Sequence, residues 1–174
     1  LLYRIPSELS LFKKITSLRT TDRKSNMIVM GRKTFESLNN QPLPNRLNCI
    51  VSSDHEKLSN QFKHDDLKFF PSVEETLDYY NSSLHRFSNL FICGGSSIYK
   101  YCIENNLLDY LILTHIKNHE YNEGDTFFPD YENKFFKISS NNHYYKPATI
   151  NKCGSKVNLD YSCNVYANKL TYND

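Results

Sequence analysis

Three short apolar runs, each followed by small or polar residues, constrain this chain more than any other feature. "NMIVM" (Asn26–Met30) runs into Gly31 and then "RKTFESL", a short helical stretch. "LNCIVSS" covers Leu47–Ser53, and "LFIC" (Leu90–Cys93) runs into "GGSS" and a helix over Ser97–Asn105. Continuous apolar runs of this length, without alternation, belong to strands covered on both faces. Strands alternating with helices need crossover connections and therefore make a largely parallel sheet. "LKFF" (Leu67–Phe70) is a weaker strand. Ser72 with Glu75 forms a capping box that opens a helix through Ser82. Ser7 as an N-cap predicts a helix over Glu8–Leu18 with Leu9, Phe12 and Ile15 on its inner face. "YLILTHI" (Tyr110–Ile116) adds another strand.

After Ile116 the pattern changes. "FFKIS" (Phe135–Ser139) and "YSCNVYANKL" (Tyr161–Leu170) have no helix between them and predict a closing antiparallel pair. A polar stretch at Asn141–Asn158 separates them and reads as a surface loop. The expected fold is therefore α/β: a mixed, mostly parallel central sheet flanked by helices, with an antiparallel C-terminal pair. A chain of 174 residues without internal repeats predicts one domain over 1–174.

The bulk chemistry excludes several classes of function. A net charge of +2 asks for neither nucleic acid nor a membrane surface. No apolar run approaches the roughly 20 residues needed to cross a bilayer. The five cysteines (Cys49, Cys93, Cys102, Cys153, Cys163) are scattered and lack CxxC spacing, so no metal site and no disulfide framework are expected. A reducing, cytoplasmic setting is the simplest expectation.

Two strand-to-helix turns carry candidate chemistry. At "CGGSSIY", Gly94 and Gly95 leave bare backbone at a helix N-terminus, where an anion is favoured. Taken alone the pair also fits a tight turn of small residues. "GRKT" (Gly31–Thr34) makes a second such turn and adds two cations and a hydroxyl. Two of them in one parallel sheet suggest an elongated nucleotide across the carboxyl ends of the strands. Arg32 and Lys33 suit an additional phosphate and so favour NADPH over NADH. A solvated pair of cations is the bland alternative, although a helix start is the wrong end for positive charge. Glu8 sits in the first turn of a helix whose neighbours Leu9 and Phe12 are expected to point inward. A carboxyl held against an apolar wall has a raised pKa and handles protons near neutral pH. An electrostatically favourable helix-start glutamate explains it equally well without further context.

That context is a resemblance. "YRIPSELSLFKKIT", "VMGRKTFESL", "PLPNRLNCIVSS", "FICGGSSIY" and "LTHIKNHEYNEGDTFFPDY" occur in the order and spacing found in dihydrofolate reductases. The similarity runs from Leu2 to about Tyr131. It implies reduction of 7,8-dihydrofolate with NADPH, by hydride transfer to C6 and protonation at N5. It implies that Glu8 is the active-site acid and that Thr114 orients it. Phe12, Leu38 and Leu43 would line the pterin and benzoyl groups, Arg46 would pair with the glutamate tail, and the Cys93 carbonyl would accept from the pteridine amino group. Gly31, Arg32, Lys33, Thr34, Ser52 and Ser53 would hold the adenosine side of the cofactor. Gly94, Gly95, Ser96, Ser97, Ile98 and Tyr99 would hold its diphosphate and nicotinamide side. The resemblance further implies a cis peptide between Gly94 and Gly95, and leaves open a fusion to a thymidylate synthase.

The chain also departs from the family pattern. Leu2 and Tyr3 stand where the family has proline and tryptophan. The resemblance implies a strand and a mobile loop ahead of Leu1, so this sequence is expected to be part of a longer chain, with the first family strand missing. Two alternatives follow: a catalytically impaired, nucleotide-binding remnant, and a related pterin or pyrimidine reductase.

Overall fold

The structure, a computed structural model, describes residues 3–19, 24–117, 126–150 and 154–172. In chain order the first elements are β1 (Tyr3–Arg4), α1 (Pro6–Ser17), β2 (Ser25–Gly31), α2 (Arg32–Ser37), β3 (Arg46–Val51) and α3 (His55–Gln61). Then come β4 (Leu67–Phe70), α4 (Val73–Ser82), β5 (Phe87–Ile92), α5 (Ser96–Glu104), β6 (Tyr110–Lys117), β7 (Phe135–Ile150) and β8 (Lys156–Asn168). The chain divides into two compact units, Lys13–Tyr99 and Leu1–Phe12 with Lys100–Asp174. None of the described helices is long and apolar enough to cross a membrane.

The Lys13–Tyr99 unit holds a parallel sheet in the order β4-β3-β2-β5. Its central strand shows why the apolar runs are continuous. Met27 and Val29 pack on one face with Leu47, Cys49 and Phe87, while Ile28 and Met30 pack on the other with Phe35, Ile50 and Leu67. Both faces of β2 are core, so alternation has no place there. The predicted cap of α4 is present: Ser72 Oγ accepts the Glu75 N–H at 3.2 Å. Helix α3 gave no signal in the sequence because it buries no residue and so carries no apolar stripe.

The other unit holds an antiparallel sheet in the order β1-β7-β8-β6. The antiparallel part is larger than the expected closing pair. The predicted loop at Asn141–Asn158 is instead the outer half of a long hairpin: β7 continues to Ile150 and β8 begins at Lys156, with Thr149 opposite Lys156. Residues 151–153 of that stretch lie outside the described residues. Half of this part of β7 is solvent-exposed and its exposed and covered residues do not alternate, so it lacks the apolar alternation by which strands are recognised. The register shifts between His143 and Lys146, and there Tyr145 takes φ 49 and donates its N–H to Asp160 Oδ1 at 2.7 Å. A small core lies toward the turn end of the hairpin, where Tyr3, Ile5, Ala148, Leu159 and Tyr161 pack together.

Helix α1 begins earlier than predicted. Pro6 occupies its first turn, as its fixed φ and missing N–H allow. Ser7 therefore lies inside the helix rather than capping it. Leu9 is not an inward residue either: it is 39% exposed, whereas Thr16 is 3% exposed. Successive helical residues are rotated by about 100°. Leu9 and Thr16, seven residues apart, are thus only about 20° apart around the helix, so the difference comes from position along the axis, with Leu9 nearer the helix start.

Candidate active site

The strand order of the parallel sheet places three turns side by side at its carboxyl end: Ser52–Ser53 after β3, Gly31–Thr34 after β2 and Cys93–Gly95 after β5. The Gly31 N–H donates to the Gly94 carbonyl at 2.8 Å, and the Cys93 N–H to the Val29 carbonyl at 2.7 Å. The Gly94–Gly95 peptide is cis, as expected. Gly94 has φ 99, and a Cβ there would meet the Tyr99 ring at 3.2 Å. A Cβ on Gly31 would lie 3.4 Å from Ile98 Cδ1, and one on Gly95 would lie 3.7 Å from Thr34 Oγ1. The absent side chains thus leave a strip of bare backbone in which Gly94 is buried against the Tyr99 ring and Gly31 and Gly95 are half-buried beside Ile98 and Thr34. The Gly95 carbonyl accepts the N–H groups of Ile98 and Tyr99, which winds the first turn of α5 onto this strip. Ser96 and Ser97 begin that helix, where backbone N–H groups have no intrahelical acceptor.

The other predicted cofactor residues are less uniform. Arg32 is exposed and paired with Glu36 on its own helix at 3.2 Å. Such surface pairs are weak, so the guanidinium is only loosely held. Lys33 and Ser53 are exposed. Ser52 is buried, its hydroxyl accepting the Asp54 N–H at 3.1 Å and its N–H donating to the Phe70 carbonyl at 3.0 Å. Its visible role is to shape the turn.

Arg46 is only 2% exposed. Its Nη1 donates to Thr16 Oγ1 and its Nε donates to the Pro44 carbonyl at 3.0 Å. Burial lowers its pKa, with the neighbouring Cys93 acting the other way. Burial pushes the Cys93 thiol up to about 12, opposed by Arg46, so Cys93 presents a neutral thiol beside its candidate carbonyl. Leu38 and Leu43 pack against the Phe35 core. Asn48, which the sequence reading missed, organises this region. Its Oδ1 accepts the Leu43 N–H at 2.8 Å, and its Nδ2 donates to the carbonyls of Leu43 and Arg46, each at 2.9 Å. An asparagine inside the apolar run "LNCIV" was the available signal.

In the other unit, Glu8 and Thr114 come together as predicted: Thr114 Oγ1 donates to Glu8 Oε1 at 3.4 Å. Burial raises the Glu8 pKa, and the threonine hydroxyl opposes that shift. Phe12 lies half-buried one turn further along α1. Cys163 stands opposite Thr114 in the β6–β8 ladder, and its own thiol is raised by burial and by the Glu8 charge. The carboxyl is thus half-desolvated, hydrogen-bonded, and able to hold a proton above the ordinary carboxylate range.

The parallel sheet with its glycine-lined turns, and the antiparallel sheet with its desolvated acid, define a mixed α/β protein. A family model described as dihydrofolate reductase matches residues 1–158. The dihydrofolate reductase of Candida albicans is 36% identical over 67% of this chain and 58% of its own length. That of Bacillus subtilis (strain 168) is 33% identical over 79% of this chain and 70% of its own. A bifunctional dihydrofolate reductase-thymidylate synthase of Paramecium tetraurelia is 35% identical over 56% of this chain and 18% of its own. Among solved structures, a dihydrofolate reductase from Enterococcus faecalis, complexed with NADP(H) and RAB-propyl, matches with TM-score 0.69 and 28% identity. That match covers 97% of this chain and 85% of the other. The chain belongs to the dihydrofolate reductase family. It matches less than two thirds of the length of the Candida and Paramecium proteins.

Proposed function

We propose that this chain reduces 7,8-dihydrofolate to 5,6,7,8-tetrahydrofolate with NADPH as cofactor. The observation that carries this reading is the half-buried carboxyl of Glu8, raised by desolvation and hydrogen-bonded by Thr114, in a chain of this family. When bound, NADPH supplies the hydride that adds to C6 of the pterin. The protein's residues do the rest: they bind, orient and handle the proton.

Glu8 holds the amino and N3 edge of the pterin and favours protonation at N5. Thr114 fixes the orientation of that carboxyl. Phe12, Leu38 and Leu43 supply an apolar wall, and the Cys93 carbonyl accepts from the pteridine amino group. Arg46, its guanidinium already anchored by Thr16 and Pro44, pairs with the carboxylate of the glutamate tail. The bare backbone at Gly31, Gly94 and Gly95 supports a diphosphate and ribose site here, since those groups need close approach to backbone. Arg32, Lys33, Thr34, Ser52 and Ser53 serve the adenosine side, and Ser96, Ser97, Ile98 and Tyr99 the nicotinamide side. The reading treats residues 1–174 as one functional domain in the cytoplasm. It leaves open a fusion to a thymidylate synthase.

The test is dihydrofolate-dependent oxidation of NADPH, measured on the 174-residue chain and on its full natural length. Activity that depends on both substrates supports the reading. NADPH binding without turnover in either form leaves a nucleotide-binding protein and overturns it. Turnover of pterins that lack the glutamate tail, with no preference for dihydrofolate, points instead to a related pterin reductase.

A further inference from the structure

We propose that Tyr161 is a positioning residue for Glu8, acting through Ser7. The proposal rests on the reductase reading above and adds a residue to it. Tyr161 is 1% exposed and belongs to the core formed with Tyr3 and Ile5, the residues that lead the chain into α1. Its hydroxyl and Ser7 Oγ are 2.9 Å apart. Ser7 is the residue immediately before Glu8, in the first turn of the helix. The ring of Tyr161 is held from its other side by His143, stacked at 4.7 Å with an interplanar angle of 19°. These two residues face each other in the β7–β8 ladder.

The first turn of α1 is thus fixed at two successive residues by one sheet. Ser7 is tied to Tyr161 on β8, and Glu8 is tied to Thr114 on β6. A helix end frays unless tertiary contacts hold it. The Glu8–Thr114 contact is long, at 3.4 Å, and it tolerates little further movement before it ceases to be a hydrogen bond. The Tyr161 hydroxyl supplies the constraint on the adjacent backbone that keeps the carboxyl at that distance. The groups facing this arrangement are the Thr114 hydroxyl from β6, the Cys163 thiol from β8 and the His143 ring from β7.

The test uses Tyr161→Phe and Ser7→Ala in the full natural chain. Phenylalanine keeps the buried ring and its stack on His143, so the core is retained. Each variant is expected to lower kcat by about three- to tenfold with KM for NADPH unchanged, the size of one lost hydrogen bond. The high-pH limb of the rate profile is expected to shift, because a loosened first turn changes both the desolvation that raises Glu8 and the Thr114 bond that opposes it. The double variant is expected to match either single one, because both remove the same bond. Unchanged kcat and pH profile in both variants, or fully additive losses, overturn the proposal. A readout without turnover separates this from failure of the reductase reading: NMR titration of the Glu8 carboxyl. If the wild type does not reduce dihydrofolate, a shift of that titration in either direction in Tyr161→Phe still supports the tether, and an unshifted titration still overturns it.

Discussion

The Gly31 N–H donates to the Gly94 carbonyl at 2.8 Å, so the turn after β2 and the turn after β5 are locked together by one backbone hydrogen bond. The two turns are far apart in sequence and adjacent only because β5 pairs with β2 in parallel. The strip of bare backbone exists because glycine occupies each position along it.

The glycines are predicted to separate folding from binding. Gly94→Ala places a side chain at φ 99 and a Cβ 3.2 Å from the Tyr99 ring. It should destabilise the protein by about 1–3 kcal/mol, visible as a lower thermal midpoint. Gly95→Ala has an ordinary contact, 3.7 Å from Thr34 Oγ1, and no positive φ. It should keep the wild-type midpoint while covering the strip. NADPH affinity, measured by fluorescence titration, should fall in both variants. A Gly95→Ala protein with wild-type affinity would remove the strip from the cofactor site.

Glu8→Gln is predicted to trade activity for stability. Burial raises the carboxyl above its ordinary value of 4.5. A group with a raised folded-state pKa gives its full stability below its unfolded value and loses it as pH rises through the folded one. Ionised Glu8 therefore weakens the fold at neutral pH, and the neutral amide avoids that loss. Glu8→Gln should melt above the wild type at neutral pH, with the gap closing as pH falls toward 4.5. Its turnover at neutral pH should be largely lost while NADPH still binds. In Thr114→Val, loss of the opposing hydrogen bond should raise the carboxyl further and carry the high-pH limb of activity upward.

Arg46→Lys is predicted to affect one substrate and spare another. The planar fork now bonds Thr16 and the Pro44 carbonyl in a site only 2% exposed, and lysine cannot reproduce two such directions. KM for dihydrofolate should rise by about ten- to a hundredfold, the scale of one charged hydrogen-bonded pair. KM for a dihydropterin without a glutamate tail should hardly change. Equal increases for both substrates would assign Arg46 a purely structural role.

The parts of the fold that were legible were those where burial on both faces leaves a compositional mark. Met27–Met30 read as a buried strand because each residue is at most 1% exposed. The Ser72 cap read correctly because capping is local chemistry. The outer hairpin around Asn142 and Tyr144 did not, because its pairing is carried by backbone groups that any residue supplies. Glu8 and the glycines at 31, 94 and 95 were marked by their positions at helix starts and turns, and the resemblance gave them roles; Thr114 was found by resemblance alone. Tyr161 was hidden because its partner, Ser7, lies at a sequence separation of 154. Ser7 itself was misread as a cap, since a serine before an apolar helical stretch signals a cap whichever way its hydroxyl turns.

Asn48 offers a last prediction, on how a buried polar side chain fixes a substrate wall. It is fully buried, and it binds the Leu43 N–H and carbonyl, the Arg46 carbonyl and, at 3.2 Å, the Asp66 carbonyl. Replacement by alanine leaves the Leu43 N–H and several carbonyls without this partner, in a site that water reaches poorly. The cost should be about 2–4 kcal/mol, read as a lower denaturant midpoint. Because the same side chain anchors Leu43 and the backbone of Arg46, KM for dihydrofolate should rise more than KM for NADPH. Asn48→Asp keeps one acceptor for the Leu43 N–H but loses the donor and buries a charge, so it should destabilise at least as much at neutral pH and recover partly in acid. An alanine variant with both the wild-type midpoint and the wild-type KM for dihydrofolate would show that the 43–46 segment is held by its apolar contacts alone.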